Sequence, residues 1–384
     1  MSQSLGPGAL AGVLVADFSR VLAGPYATML LADLGADVVK VERPDGGDDT
    51  RHWGPPWRTA ADGEREASYF LGVNRNKRSA ALDLRSAQGL AAARALVRRA
   101  DVVVENFKPG GMERLGLGYD DVRADNPGVV YASITGFGRA GGADLPGYDL
   151  LVQAMGGLMS VTGPAPGEPT KVGVALVDVI TGLHATIGIL AALQHREHTG
   201  QGQRVEVNLL SSLVSALVNQ ASGYVAAGEV PGIMGNRHPS IAPYEVLPTA
   251  DRPLVLAVGN DRQFRALAEA LGRPDLADDE RFVTNPARVA NRAELVEVLT
   301  EAVQQRSADE WFAVLTSRGV PCGPINDLAE AVALAERLGL APVVDVDGVP
   351  TVADPITLSR TPATYRRRPP RLGEDTDAVL GWLR

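Results

Sequence analysis

The first half of the chain alternates short apolar runs with longer amphipathic ones, and this alternation constrains the fold more than any other feature. Strand-like runs occur at 13–18, 37–42, 101–105 and 128–134, and helix-like runs such as 23–34 separate them. Strands that alternate with helices of about 10–15 residues are typical of right-handed βαβ units, in which the strands are parallel. The pattern therefore predicts an α/β fold with a mostly parallel sheet.

The second half begins with a change in composition. Two long apolar helices are predicted at 177–196 and 210–227, and the segment 228–243 that follows is rich in Gly, Pro and Asn. Clusters of such residues between periodic segments indicate loops and linkers. We therefore place a domain boundary there, followed by a second, smaller domain that starts with a strand at 254–258 and a helix at 261–271.

Charge and composition exclude several classes of function. The 37 basic and 46 acidic residues give a net charge of −9, which argues against a general nucleic-acid or membrane-surface binder. The N-terminus has no basic region before its apolar stretch, and we find no run of about 18 apolar residues, so we expect neither a signal peptide nor a transmembrane helix. These observations predict a cytoplasmic protein.

Metal and thiol chemistry are also disfavoured. His195 and His198 stand three residues apart but have no third ligand of suitable type nearby, so a solvated helix end explains them better than a metal site. Cys322 is the single cysteine, which excludes an intrachain disulfide. It has no evident base partner, so we interpret it as a packed thiol.

A dinucleotide-binding site is the first alternative to consider, because the opening strand, turn and helix are Rossmann-like. The turn 19–25 lacks the G-x-G-x-x-G fingerprint, although 136–141 matches it formally. That match is followed by Gly142, Pro146 and Gly147 where a helix should begin, and no strand ending in an acid follows about 20 residues later. The sequence therefore disfavours an NAD-dependent oxidoreductase.

One carboxylate stands out. Asp178 lies in a nearly uncharged run from 172 to 192. A charge in apolar surroundings is costly, so such a residue either caps a helix, is paired or is reactive. Asp is favoured at helix N-caps, and it can also act as a nucleophile that forms a covalent intermediate. The residue pattern alone favours the cap and leaves the nucleophile open.

Basic residues cluster around the predicted carboxyl ends of the first strands. Arg43 follows the second strand, Lys77 and Arg78 come soon after, and Arg114 follows a Gly-Gly pair. Cations at the carboxyl ends of parallel strands commonly face a ligand crevice, where they suit phosphate groups. As a group they favour a phosphorylated cofactor or substrate.

Taken together, these segments resemble class III coenzyme A transferases, the family of formyl-CoA:oxalate and carnitine CoA-transferases, whose superfamily includes alpha-methylacyl-CoA racemase. The resemblance extends along nearly the whole chain. The segments that carry it are VLVADFSRVLAGPYATMLLADLGADVVKVERPDGGDDTR, NRNKRSAALDL, DVVVENFKPGGMERLGLGY, YASITGFG, GYDLLVQAMGGLMSVTG, VGVALVDVITGLHATIGILAAL, GNRHPSIAPYE, RGVPCGPI and LGEDTDAVL.

The resemblance assigns Asp178, in the segment LVDVITG, as the catalytic residue. In this family an aspartate attacks the donor thioester to give a mixed anhydride, and CoA thiolate then converts it to an aspartyl-CoA thioester. The acceptor acid reverses these steps. Such chemistry implies no metal and no tightly bound cofactor, with acyl-CoA and a free carboxylic acid as substrates. An Asp near its reference pKa of about 3.9 would already be ionised at neutral pH.

The resemblance also carries over binding residues, motif by motif. The residues expected to contact CoA are Val21, Leu22, Ala23, Arg43, Lys77, Arg78, Leu82, Asn106, Phe107, Arg114, Gly136, Phe137 and Gly138. The residues expected on the acyl side are Tyr148, Gly235, Asn236, Arg237 and His238, and Arg237 could pair with the far carboxylate of a dicarboxylic acid. Two features depart from formyl-CoA transferase: Leu22 stands where that enzyme has a glutamine, and its tetraglycine loop is absent.

The implied architecture is a large Rossmann-like CoA-binding domain with linker helices over 1–228, a small α/β domain over 229–325, and a segment over 326–384 that returns to the large domain. Members of the family are homodimers whose chains interlock, with the site between the large domain of one subunit and the small domain of the other. We expect the same here.

Two further hypotheses stay open at this stage. A racemase of this superfamily needs a histidine where this chain has Tyr148, and a Tyr with a pKa near 10 accepts an α-proton poorly. A non-catalytic CoA-binding protein would bind acyl-CoA without exchanging the acid. The pattern of the middle segments resembles the branch of the family that uses succinyl-CoA and other dicarboxylic acids.

Overall fold

The structure, a computed structural model, describes residues 8–384. Contacts divide the chain into two units. Unit 1 comprises the chain up to Leu158, Val172–Glu229 and Ala341–Arg384, and unit 2 comprises Met159–Lys171 and Val230–Leu340. Unit 2 therefore extends beyond the range 229–325 expected from the sequence. One reason is that Glu330, in the helix after residue 325, pairs with Arg252 of the same unit at 2.9 Å.

The regular elements are numbered in chain order. The strands are β1 (Leu14–Asp17), β2 (Asp37–Glu42), β3 (Trp57–Thr59), β4 (Arg65–Ala67), β5 (Lys77–Ala81), β6 (Val102–Glu105), β7 (Val130–Thr135), β8 (Arg204–Asn208), β9 (Tyr244–Pro248), β10 (Pro253–Ala257), β11 (Cys322–Pro324), β12 (Val343–Val346) and β13 (Val349–Val352). The helices are α1 (Ala23–Asp33), α2 (Ser68–Leu71), α3 (Ala87–Arg99), α4 (Gly111–Arg114), α5 (Tyr119–Asp125), α6 (Asp149–Met155), α7 (Leu158–Val161), α8 (Leu176–Thr199), α9 (Leu209–Ala216), α10 (Val218–Ala227), α11 (Asp261–Ala270), α12 (Asn285–Ala290), α13 (Arg292–Val303), α14 (Ala308–Ser317), α15 (Leu328–Arg337) and α16 (Thr376–Leu383).

Unit 1 is built on a six-stranded sheet with the order β5-β2-β1-β6-β7-β8, and every neighbouring pair in it is parallel. Counted along the chain, its strands lie in the order third, second, first, fourth, fifth, sixth. This is the Rossmann order, in which the strand sequence reverses between the first and fourth strands. The prediction of an α/β fold with a mostly parallel sheet is confirmed.

Alternate residues of the strands face two separate cores, as the two-residue period of a strand requires. Val38 and Val102 pack on one face of the sheet against α1 and α8. Val39 and Val103 pack on the other face against α3 and α16. The C-terminal helix α16 thus completes the core of unit 1.

Helix α8 is the longest element among the described residues, and part of it has a mean hydropathy of 1.9. By length and composition alone it could cross a membrane, so the expectation that the chain has no transmembrane helix stays a prediction. Its buried side packs on the sheet through Ala185 and Ile189. Gly182 allows the close approach of α1, because a Cβ there would lie 2.7 Å from the carbonyl oxygen of Ala23. The second long helix predicted at 210–227 is divided into α9 and α10.

Unit 2 combines the antiparallel sheet β11-β10-β9 with helices α11 to α15. Its core is continuous and includes Leu254, Phe264 and Trp311. The buried indole of Trp311 donates its Nε1 proton to the carbonyl oxygen of Val303 at 2.6 Å, which satisfies the polar end of a large apolar side chain.

Candidate active site

A cavity of about 470 Å³ lies in unit 1 and is lined by the segments that follow β1, β6 and β7 and by the first turn of α8. The carboxyl ends of parallel strands near the point where strand order reverses are the usual ligand site of such sheets. Of the residues expected to bind CoA or the acyl group, the cavity brings together Val21, Leu22, Ala23, Asn106, Phe107, Gly136, Phe137, Gly138 and Tyr148, together with the expected nucleophile Asp178.

A second cavity of about 280 Å³ lies beside the first and shares Arg20 and Phe107 with it. It contains two more of the predicted residues, Arg43 and Leu82. Arg114 is exposed and lines neither cavity. The two cavities therefore contain twelve of the predicted residues, all from unit 1.

Asp178 does not cap its helix, so the interpretation favoured by the residue pattern alone was wrong. The N-cap position of α8 is Ala175, which has no side-chain cap. The capping acceptor comes from another helix: Oδ1 of Asp149 accepts hydrogen bonds from the backbone N–H groups of Val177 at 2.8 Å and Asp178 at 3.2 Å. Because Asp149 satisfies these donors, the side chain of Asp178 is left for another role.

The three carboxylates that line the main cavity differ in their partners. Asp49 forms ion pairs of 2.9 Å with both Arg20 and Arg43. Asp149 caps α8 through one oxygen and accepts a hydrogen bond of 2.6 Å from Gln153 through the other. Within residues 8–384, the carboxylate of Asp178 makes no hydrogen bond and no ion pair. It is the carboxylate of the cavity that is free to react.

Burial raises the pKa of Asp178 to about 7, and the negative charge of Asp149 adds to the rise. The expectation that this carboxyl would have its ordinary pKa was therefore wrong. A group with a pKa of about 7 is about half ionised at pH 7. Strongly shifted pKa values in a cleft are typical of functional sites.

Tyr69 is a neighbour of this carboxyl that sequence reasoning missed. It packs against the buried cluster of Leu22, Met29 and Val73, and Ala175 and Val179, which lie close to Asp178 in the chain, pack against the same cluster. Burial raises the pKa of Tyr69 to about 12, with the charge of Asp178 as the next largest cause. The edge of the Tyr69 ring also contacts Trp53, a cavity residue, at a centroid distance of 5.5 Å. The surroundings of Asp178 are thus aromatic and apolar on this side.

The glycines after β7 bring two loops together at the cavity. A Cβ on Gly136 would lie 2.3 Å from the Cα of Gly147, which immediately precedes Tyr148 and Asp149. Only residues without side chains permit this approach. Gly138 has a positive φ of 82° and donates its N–H to Oγ1 of Thr135 at 3.1 Å. The formal G-x-G-x-x-G match thus belongs to a loop that lines the cavity without starting a helix.

Three of the cations predicted to bind CoA, Lys77, Arg78 and Arg114, line neither cavity, and for the first two the local structure explains why. Lys77 is fully buried, donates to Asp17, Pro25 and Asn74, and has its pKa lowered by burial to about 8. Arg78 pairs with Asp37 at 2.5 Å. The reason is the strand β5, which the sequence analysis did not identify. Both residues begin this strand and pair with the start of β2, at the amino edge of the sheet.

The predicted acyl-side residues Gly235, Asn236, Arg237 and His238 belong to unit 2, so they stay predictions. Within that unit, the ring of His238 packs against Tyr244 at a centroid distance of 5.3 Å. Sequence reasoning also missed Arg20 and Asp49, which line the main cavity. The sequence contained a signal for both residues, because Arg20 lies in the first βα turn and Asp49 follows the second strand, where ligand-binding residues are expected.

The fold and the site define a class of protein: an α/β enzyme of Rossmann topology whose ligand crevice holds an unpaired carboxyl group in place of a dinucleotide fingerprint. Residues 10–376 match the profile of CoA-transferase family III, and the chain belongs to that family. It is a CoA-transferase, as the resemblance predicted.

Characterised relatives agree over nearly the full length. The chain is 46% identical to the succinate–glutarate CoA-transferase of Agrobacterium fabrum over 97% of this chain and 95% of that protein. It is 41% identical to the mouse succinyl-CoA:glutarate CoA-transferase over 97% of this chain and 85% of that protein. A solved structure of a CaiB/BaiF family protein from Brucella suis superimposes with a TM-score of 0.90 at 45% identity, covering 98% of this chain and 100% of that one.

Proposed function

We propose that this enzyme transfers CoA reversibly between dicarboxylic acids, with succinyl-CoA as a donor and a free dicarboxylic acid such as glutarate as the acceptor. The names of the relatives support this substrate class, including a succinyl-CoA:mesaconate CoA-transferase from Haloarcula hispanica that is 44% identical over 84% of this chain and 82% of that protein. Arg237 is our candidate for the far carboxylate of the acid.

The proposed mechanism uses Asp178 as the nucleophile. Its carboxylate oxygen attacks the thioester carbonyl, the C–S bond breaks, and CoA leaves as the thiolate while an aspartyl mixed anhydride forms. The thiolate then attacks the Asp178 carbonyl carbon of the anhydride, which releases the donor acid and gives an aspartyl-CoA thioester. The acceptor carboxylate repeats the two steps in reverse. The observation that carries this proposal is that Asp178 is the unpaired carboxylate of the described cavity.

The surroundings of Asp178 suit these intermediates. An anhydride is hydrolysed by water, so a site that half-buries its nucleophile next to Tyr69, with Trp53 in the cavity wall, limits the access of water to the intermediate. Burial also makes the carboxylate a stronger base, since its pKa rises to about 7. Because of the same raised pKa, most of the Asp178 carboxyl is protonated below neutral pH, and the protonated form is not the nucleophile.

We also propose that the enzyme is an interlocked, cytoplasmic homodimer that binds neither nucleic acid nor membrane. Exposed apolar side chains on three helices of unit 1 support a protein partner. They include Leu150, Met155, Ile187, Val218 and Val225, from α6, α8 and α10. Exposed apolar patches are typical of protein–protein interfaces. Light scattering coupled to size-exclusion chromatography tests this, and a monomer would contradict it.

The test of the activity is an exchange assay. Purified enzyme is mixed with succinyl-CoA and isotopically labelled glutarate, and new CoA esters are followed by mass spectrometry. We expect labelled glutaryl-CoA with the wild type and none with Asp178→Asn. The matched control is Asp125→Asn, which changes an exposed carboxylate that lines neither cavity and should retain exchange.

Two further outcomes separate the alternatives. Hydroxylamine added during turnover should modify Asp178, because it captures acyl-aspartate intermediates, and modification elsewhere would contradict the mechanism. Binding of acyl-CoA without exchange of any labelled acid would support a non-catalytic CoA-binding protein. Epimerisation of a 2-methylacyl-CoA without exchange would support the racemase alternative.

A further inference from the structure

The turn between β1 and α1 supplies Val21, Leu22 and Ala23 to the main cavity, and other side chains hold this turn residue by residue. Lys40 donates from Nζ to the carbonyl oxygen of Ser19 at 2.9 Å. Asn106 accepts from the N–H of Arg20 at 3.0 Å and donates to its carbonyl oxygen at 2.7 Å. These contacts come from β2 and from the end of β6, so the turn is fixed by the strands around it.

Val21 has an unusual conformation within this turn. Its φ is 71°, in the left-handed region that β-branched residues rarely occupy. Its N–H lies 3.3 Å from each of the two carboxylate oxygens of Asp48. A residue keeps such a conformation only where its surroundings enforce it, and conformations of this kind cluster at functional sites.

Asp48 is itself fixed by a buried charge. Its Oδ2 pairs with Nζ of Lys40 at 2.9 Å, and both side chains have zero exposed area. Lys40 therefore binds Ser19 at one point of the turn and, through Asp48, Val21 at another. The turn is also tightly packed next to these contacts, because a Cβ on Gly24 would lie 2.3 Å from the Cβ of Ser19.

We propose that the Lys40–Asp48 pair is a positioning device for CoA transfer. It holds Val21 in the left-handed conformation and thereby fixes the backbone of Val21, Leu22 and Ala23 that the substrate thioester meets in the cavity. Asp48 lies in the wall of the second cavity, but its side chain and that of Lys40 have zero exposed area, so the pair acts through this backbone. The inference rests on the proposed function, since it assigns the turn a task in that reaction.

The first test is Asp48→Asn, which keeps an acceptor for Val21 but removes the charge that Lys40 binds. We expect kcat for exchange to fall about 10- to 100-fold, since small displacements of reacting groups have effects of this size. The dissociation constant for CoA, measured by calorimetry, should change less than about twofold, because the Asp48 side chain has no exposed area and Arg43 and Leu82, which line the second cavity with it, are unchanged.

The decisive test is rescue by glycine. Glycine adopts positive φ readily, so with Val21→Gly the turn should keep its conformation without the Lys40–Asp48 pair. In the Asp48→Asn background we expect Val21→Gly to raise kcat at least about fivefold. The matched control is Asp33→Asn, which disturbs another buried ion pair, with Arg75 at 2.6 Å, whose residues line neither of the two cavities. It should lower stability and leave kcat unchanged.

A second variant covers the case in which Asp48→Asn does not fold. The double replacement Lys40→Met, Asp48→Leu leaves no uncompensated charge in the interior, and it should show the same loss of kcat and the same rescue. Failure of Val21→Gly to raise kcat in either background would overturn the inference. So would wild-type kcat in Asp48→Asn. Both results leave the proposed function intact, whereas a wild type that exchanges no acid overturns both.

Discussion

Two regions of unit 1 place aspartate residues in opposite environments. Below the β1–α1 turn, Asp17, Lys40, Asp48 and Lys77 form a buried charge cluster in which every member has a partner, and the pKa of Asp48 is lowered to about 2, chiefly by Lys40 against the opposing effect of burial. At the start of α8, the carboxylate of Asp178 has no partner within residues 8–384, and its pKa is raised to about 7. Partners, and not burial, decide which aspartate is structural and which can react.

The largest expected effect concerns the unpaired region. Asp178→Asn keeps the size of the side chain and removes the nucleophile, so we expect exchange to fall by about 10⁴-fold or more, as for other covalent catalysts. Initial rates of CoA ester formation measure this. Retention of more than about a tenth of the activity would show that another group forms the intermediate.

The next effect concerns the buried charge cluster. Asp17 accepts hydrogen bonds from Ser19 and Thr28 and pairs with Lys77 at 3.2 Å. Asp17→Asn leaves Lys77 buried without its counter-charge, and we expect the free energy of unfolding to fall by about 3–5 kcal/mol. Urea denaturation measures it. The control is Asp125→Asn, which breaks an exposed pair with Arg98 and should change stability by less than about 0.5 kcal/mol.

Asp178→Asn should increase the stability of the protein, whereas Asp17→Asn should decrease it. The folded-state pKa of about 7 lies above the unfolded value of about 3.9, so the folded state binds more protons between these pH values and this carboxyl costs stability as pH rises. Above pH 7 we expect Asp178→Asn to be more stable than the wild type by about 1–3 kcal/mol. Melting curves at pH 8 and pH 5 test this, because the difference should shrink at pH 5. A variant that is less stable at pH 8 would contradict an unpaired, half-buried Asp178.

The smallest effect tests the coupling between two cavity carboxylates. Asp149→Asn keeps a side-chain oxygen to cap α8 but removes the charge that raises the pKa of Asp178. We expect the acidic limb of the profile of kcat/KM against pH to move down by about 0.5–1 unit. Asp149→Ala, as the companion variant, also loses the cap and should cost about 1 kcal/mol of stability. An unchanged midpoint in Asp149→Asn would assign the whole shift to burial.

The sequence predicted the elements of unit 1 well where their pattern was local. The strand 37–42 and the helix that begins at Ala23 agree with β2 and α1, since alternation and turn residues define them. The nucleophile came from the resemblance, and its lack of a partner could not be read from the sequence. Asp149, which takes over the capping of α8, lies 29 residues earlier in the chain.

The positions of Lys77 and Arg78 show a second limit of prediction from the sequence. Strand β5 begins with Lys77 and Arg78, so its charged start conceals the short run Ser79–Ala81 that completes it. Without this strand, the sequence analysis could not predict that Lys77 and Arg78 lie at the amino edge of the sheet. The Val21 conformation has no local signal at all, because the residues that enforce it come from β2 and the segment after it.

The insertion of unit 2 within unit 1 has a consequence for the order of folding. The buried core residues of unit 2 all lie between 242 and 320, so its folding nucleus can form by closing loops within that segment. Strand β5 is different, since the N–H of Ser79 bonds to Asp375 across a separation of 296 residues. Closing such a loop is slow relative to local contacts. We therefore expect protection from hydrogen exchange to develop first in β9 and β10 and last in β5. Because unit 1 is complete only after α16 has been synthesised, we expect it to be the part of the chain that depends most on chaperones.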